Sequence, residues 1–127
     1  MLKALSLMIA IILVSAQPAD AHHSFALFDA TKTVAVEGTV KKFEWTNPHS
    51  WITLEVIGPK NTADEWMIEL PASGVLAREG WNKNYVKVGE KLLLRINPLK
   101  NGGKGGTLES FNPDEPRQPV GTGVFPK

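Results

Sequence analysis

Histidine is the one residue type in this chain with specific chemistry to offer, and two of its three copies are neighbours, His22 and His23. They stand directly behind Ala19-Asp20-Ala21, the A-x-A pattern of a signal-peptidase site. A cut after Ala21 places a free α-amino group on His22. That amine and its own imidazole can close a chelate ring on a transition metal, with the imidazole of His23 one position away. Imidazole suits copper, zinc, iron and nickel, and the Irving–Williams order favours copper. The third histidine, His49, sits in Thr46-Asn47-Pro48-His49-Ser50, where proline and asparagine supply turn chemistry. The set His22, His23 and His49 therefore predicts a Cu(II) site of one amine and two imidazoles, with His23 as a third nitrogen ligand or a support to the others. Copper is expected over zinc because structural zinc takes four tetrahedral ligands. With no cysteine, and Met67 the lone methionine beyond the cut, a soft Cu(I) store is not expected.

The cut position decides this chemistry. Cleavage after Ala19 puts the histidine third, so that amine, two backbone amides and imidazole can wrap Cu(II) or Ni(II) in a square plane. Cleavage after Ala16 leaves both histidines inside a longer arm. The A-x-A pattern favours Ala21.

Export is expected from the segment before the histidines. Lys3 is its charged end, and Ala4 to Val14, rich in leucine and isoleucine, is its apolar core. That run falls short of the roughly twenty residues a spanning helix needs, and no later run is long enough. The expected division is a signal peptide over 1–21, one domain with an N-terminal arm over 22–111, and a Pro/Gly-rich tail over 112–127. The expected location is the periplasm, with no membrane span after processing. The full chain of 127 residues carries a formal net charge of +1. The cut removes one lysine and one aspartate, which leaves that balance unchanged and argues against a nucleic-acid partner. An exported chain without disulfides must stand on its hydrophobic core.

Strand patterns dominate the rest. From Thr33 to Trp45, the residues Val34, Val36, Gly38 and Val40 share one face; Phe43 and Trp45 then resume it one residue late. Such a slip is what a β-bulge produces, and Gly38 eases a sharp bend. A second strand points Ile52, Leu54 and Val56 inward and Trp51, Thr53 and Glu55 outward. A third, about Glu65 to Leu70, buries Trp66, Ile68 and Leu70 before Pro71 ends it. Pro71 to Trp81 reads as a short helix with Val75 and Leu76 inward and Gly80 at its end. A fourth strand spans about Lys91 to Asn97, and a fifth Thr107 to Phe111, joined by a glycine-rich hairpin loop. Three strands, a helix and two strands predict a mainly-β fold: a small five-stranded OB-like Greek-key barrel with one short helix between strands three and four. A β-sandwich is the alternative.

Tryptophan supplies the second set of site residues. By strand phase Trp45 and Trp66 point inward, and Trp81 after the helix caps the barrel. Trp51 falls outward beside His49, so Trp45, Asn47, Ser50 and Trp51 form an expected docking loop for a small ligand or a protein. Glu55, Glu65 and Glu69 are expected to be solvated. No nucleophile–base pair, phosphate cradle or matched carboxylates stand at a recognisable spacing, so no enzymatic activity is expected.

The segments Ala21-His22-His23-Ser24-Phe25-Ala26, Gly38-Thr39-Val40 and Trp45-Thr46-Asn47-Pro48-His49-Ser50-Trp51 form a recognisable set. They are joined by Leu76-Ala77-Arg78-Glu79-Gly80-Trp81, Val88-Gly89-Glu90 and Asn97-Pro98-Leu99. Together they resemble a family of small exported bacterial proteins of uncharacterised function, over nearly the whole chain from His22 to about residue 111. The resemblance implies one periplasmic domain and brings no activity or ligand with it. The functional expectation is a periplasmic binding module for copper(II) at His22 and His49. Its alternative is a metal-free accessory module that binds an unknown periplasmic partner or a small ligand on the Trp45–Trp51 loop. Phe25, Leu27 and Phe28 are expected to lay the arm back along the barrel.

Overall fold

The five strands close on themselves. A computed structural model describes residues 26–111, so His22, His23, the expected signal peptide over 1–21 and the expected tail over 112–127 lie outside the described residues. In chain order the elements are β1 (Val34–Glu44), β2 (Ser50–Ile57), β3 (Ala63–Leu70), α1 (Ser73–Arg78), β4 (Lys91–Pro98) and β5 (Gly105–Phe111). The sheet runs β1-β2-β3-β5-β4 and returns to β1 as a closed barrel, antiparallel except where β3 meets β5. This is the expected five-stranded OB-like barrel with its helix between β3 and β4, and closure leaves the sheet no free outer strand.

Closure depends on β1 serving two partners. Val34 to Thr39 pair with β4, and Thr39 to Glu44 pair with β2. The phase slip read from the sequence is a register shift between Val40 and Lys42, which leaves Lys41 as the extra residue of a bulge. Gly38 stands next to Thr39, where β1 changes partner. A Cβ there would stand 2.7 Å from the Glu55 carbonyl oxygen, so the missing side chain lets β1 cross close against β2.

The alternating residues fill the interior. Val40, Ile52, Leu54, Ile68, Leu94 and Ile96 are fully buried. Val34, expected inward, is exposed at the first position of β1. Trp66 and Trp45 are half-buried and pack against the core from its margin.

The helix is shorter than Pro71 to Trp81, but its C-terminal end is closed where the sequence signal stands. The Gly80 amide donates to the Ala77 carbonyl and the Trp81 amide to the Leu76 carbonyl. Gly80 sits at φ 89°, so the end is a Schellman motif that glycine enters without penalty. That turn delivers Trp81 under Leu76. Trp81 stacks on Tyr85 at 4.1 Å and touches Phe111 at 5.2 Å, as expected of a barrel cap.

The β4–β5 connection is a hairpin, as read, but Gly105 and Gly106 belong to β5 rather than to its loop. Residues 27–29 of the arm pair with the end of β4 and the two residues after it. Phe28 bridges Leu99, the Asp29 amide donates to Pro98 and the Lys100 amide to Leu27. Phe28 is buried by this pairing while Leu27 points to solvent. Among the described residues no helix is long and apolar enough to cross a membrane.

Candidate functional site: the His49–Glu69 rim

The connection from β1 to β2 is tied down from several sides. Thr46 donates its hydroxyl to the His49 carbonyl at 2.6 Å. The Ser50 hydroxyl accepts from the Thr46 amide at 3.3 Å and donates to the Thr46 carbonyl at 3.2 Å. The same Thr46 carbonyl accepts from the Ser73 amide, and the Ser73 hydroxyl donates to the Asn47 side-chain oxygen at 3.0 Å. The first turn of α1 and the β1–β2 turn therefore hold each other. A turn with this many internal partners fixes the backbone of His49, and only side-chain rotation remains to place its ring.

The ring is placed by β3. His49 Nδ1 lies 3.1 Å from Glu69 Oε1, with the histidine side chain 27% exposed and the glutamate side chain 10% exposed. Glu69 points to the outer face of β3, directly opposite Trp51 on β2. Its burial corrects the expectation of a solvated carboxylate. Trp51 beside it and His49 over it remove the water that an outward strand position normally keeps. Sealing a carboxylate from water is costly without hydrogen-bond partners, and the imidazole supplies one. Among the described residues the other ring nitrogen, Nε2, makes no hydrogen bond.

The expected site residues divide accordingly. Ser50 is fully buried with its hydroxyl committed to Thr46, so it shapes the turn and does not face a ligand, contrary to its place in the expected docking loop. Asn47 is exposed, with its side-chain oxygen engaged by Ser73. Trp51 is half-buried on the outward phase, and Trp45 meets Phe43 edge-on at 6.1 Å. His49 stands at the rim as the sequence placed it. The described residues hold no group of three or more histidine, cysteine or carboxylate side chains able to bind a metal. The partners expected for His49, His22 and His23, lie outside the described residues.

Glu69 is the residue that sequence reading missed. Its only signal was an outward phase on β3; the pairing with Trp51 and the approach of His49 depend on register, which periodicity does not supply. Away from this rim, an open groove of about 330 Å³ is lined by Glu37, Gly38, Thr39, Glu55, Ile57 and Lys91. No residue of the expected site lines it. Glu55 there pairs with Lys41 at 3.3 Å, and Glu65 is exposed as expected.

A family described as a family of unknown function (DUF6152) matches residues 10–110. No curated protein matches the chain. Among solved structures, a mitochondrial single-stranded DNA-binding protein from S. cerevisiae, Rim1, is similar over 64% of this chain and 92% of that one. The two are 11% identical, with a TM-score of 0.45.

Proposed function

We propose that this chain, which belongs to the family of unknown function DUF6152, is an exported periplasmic binding module that captures Cu(II) at the rim of its barrel. The amine and imidazole of His22 form the chelate, His49 adds a second imidazole, and His23 completes or supports the set. The observation that carries this reading is the orientation of His49. Its Nδ1 is engaged by Glu69 and its Nε2 has no hydrogen-bond partner among the described residues, the arrangement in which a histidine serves as a metal ligand.

Reach supports it as well. From Phe28 the ladder steps through Leu99 and Gly105 to Met67 on β3, three strand spacings or about 14 Å. Glu69 lies two residues further along β3, about 7 Å. The path is roughly 16 Å; of the six residues from His22 to Phe28, Ala26 and Leu27 are helical, so the segment spans at most about 17 Å. The docking alternative has lost support, because Ser50 is buried and the Asn47 oxygen is occupied.

The test is Cu(II) titration of a chain beginning at His22, read by electron paramagnetic resonance. Nitrogen hyperfine coupling is expected, weakened in His49→Ala and in a chain with one extra residue before His22. Equal, weak binding by all three chains overturns the proposal, because scattered surface groups would then account for the copper.

A further inference from the structure

We propose that Glu69 is the positioning residue of this rim: it accepts from the Nδ1–H of His49, holding the proton on Nδ1, and so presents an unprotonated Nε2 outward as the metal-binding nitrogen. The assignment deepens the copper reading and rests on it for the identity of the metal.

The chemistry follows from the donor inventory. A carboxylate only accepts hydrogen bonds, so a 3.1 Å contact between Glu69 Oε1 and His49 Nδ1 places the proton on Nδ1. A neutral imidazole holds one ring proton, and Nε2 is then left with its lone pair. Copper needs that lone pair, and a ring with the opposite tautomer turns an N–H toward the ion. The carboxylate also makes the ring a stronger donor and stops it rotating.

The surroundings make this more than a surface contact. Glu69 is nearly sealed, with Trp51 opposite it and the His49 ring over it, so the pair escapes the solvent screening that weakens exposed pairs. The His49 backbone is already fixed by Thr46, Ser50 and Ser73. The turn sets where the ring begins, and Glu69 sets which nitrogen it offers.

The experiment reads the ring directly. Long-range ¹H–¹⁵N correlation spectra of the metal-free chain are recorded at about pH 8, above the ordinary histidine range. Cu(II) affinity is then measured on the same chains beginning at His22. The wild type is expected to show Nε2 unprotonated. Glu69→Leu, which fills the same space without an acceptor, is expected to shift the proton toward Nε2 and to weaken Cu(II) binding roughly 10- to 100-fold. Glu69→Gln keeps a neutral acceptor and is expected to fall between the two. A wild-type ring protonated at Nε2, or a Glu69→Leu chain with unchanged tautomer and affinity, overturns the assignment. Should Glu69→Leu fail to fold, a Glu69→Gln chain identical to wild type in both readouts overturns it. An unprotonated Nε2 in a wild-type chain that binds no copper defeats the capture reading and leaves the role of Glu69 standing.

Discussion

The β1–β2 turn has two sides, and they are built on opposite plans. On the inner side Phe43, Trp45, Trp81, Tyr85 and Phe111 form a chain of ring contacts, in which Trp81 alone meets Tyr85, Phe111 and Phe43. On the outer side His49 and Glu69 meet through one contact of 3.1 Å. The inner cluster holds by summed area and shape, so several neighbours fix each ring. The outer pair meets through one directional contact between two named atoms. The lesson concerns placement. The barrel anchors the turn from within by many non-specific contacts, which frees the outer side to carry a single specific one.

Trp81→Ala tests the inner plan and carries the largest expected effect. Truncating a buried tryptophan leaves a cavity under Leu76 and breaks the stack on Tyr85, a loss of about 3–5 kcal/mol. Urea unfolding followed by circular dichroism measures it. A loss below about 1 kcal/mol would show that neighbouring rings refill the space, and that the cluster is looser than its distances imply.

Ser50→Ala probes the junction between the two sides. It removes the hydroxyl that both accepts from and donates to the backbone of Thr46, at an expected cost of about 1 kcal/mol. Amide hydrogen exchange at Thr46 and Ser73 should accelerate while the core amides of β2 stay protected. Uniform acceleration across β2 would mean that the turn is part of the core rather than a separate fastening.

Asp29 gives the smallest effect and a purely electrostatic contrast. Its carboxylate accepts from the Thr31 hydroxyl at 2.6 Å and the Thr31 amide at 3.1 Å, and pairs with Lys32. The Thr31 hydroxyl bond, followed by Lys32 and the Thr31 amide, lowers its pKa from 3.8 to about 2. Because the folded value is the lower one, the turn is fully supported above the ordinary carboxylate value. That support fades as the pH falls from about 3.8 through about 2. A carboxyl NMR titration should show the low midpoint, and Thr31→Val should raise it. An unchanged midpoint in that variant would assign the shift to Lys32 instead.

Much of the inner side was legible in the chain. Alternation at Ile52 and Leu54 fixed the buried face of β2, the slip between Val40 and Phe43 marked the bulge at Lys41, and Gly80 marked the end of the helix. These are local signals, carried by neighbours along the chain. The outer side was half legible. His49 announced itself by type and by its place in a turn, yet Glu69 looked like any solvated glutamate, and Ser50 like an available hydroxyl. Both errors have one cause. The accessibility of an outward residue depends on what the next strand and the following helix lay over it.

By itself, the order of residues determined the number and phase of the strands, the helix between β3 and β4, and the location of a histidine at the rim, because periodicity and turn chemistry act over a few neighbours. Only the folded barrel decided that Glu69 lies opposite Trp51 and against His49, and that Ser73 reaches back to the β1–β2 turn. Those meetings join residues eighteen or more positions apart. They depend on strand register and on closure through β1, which no local pattern encodes.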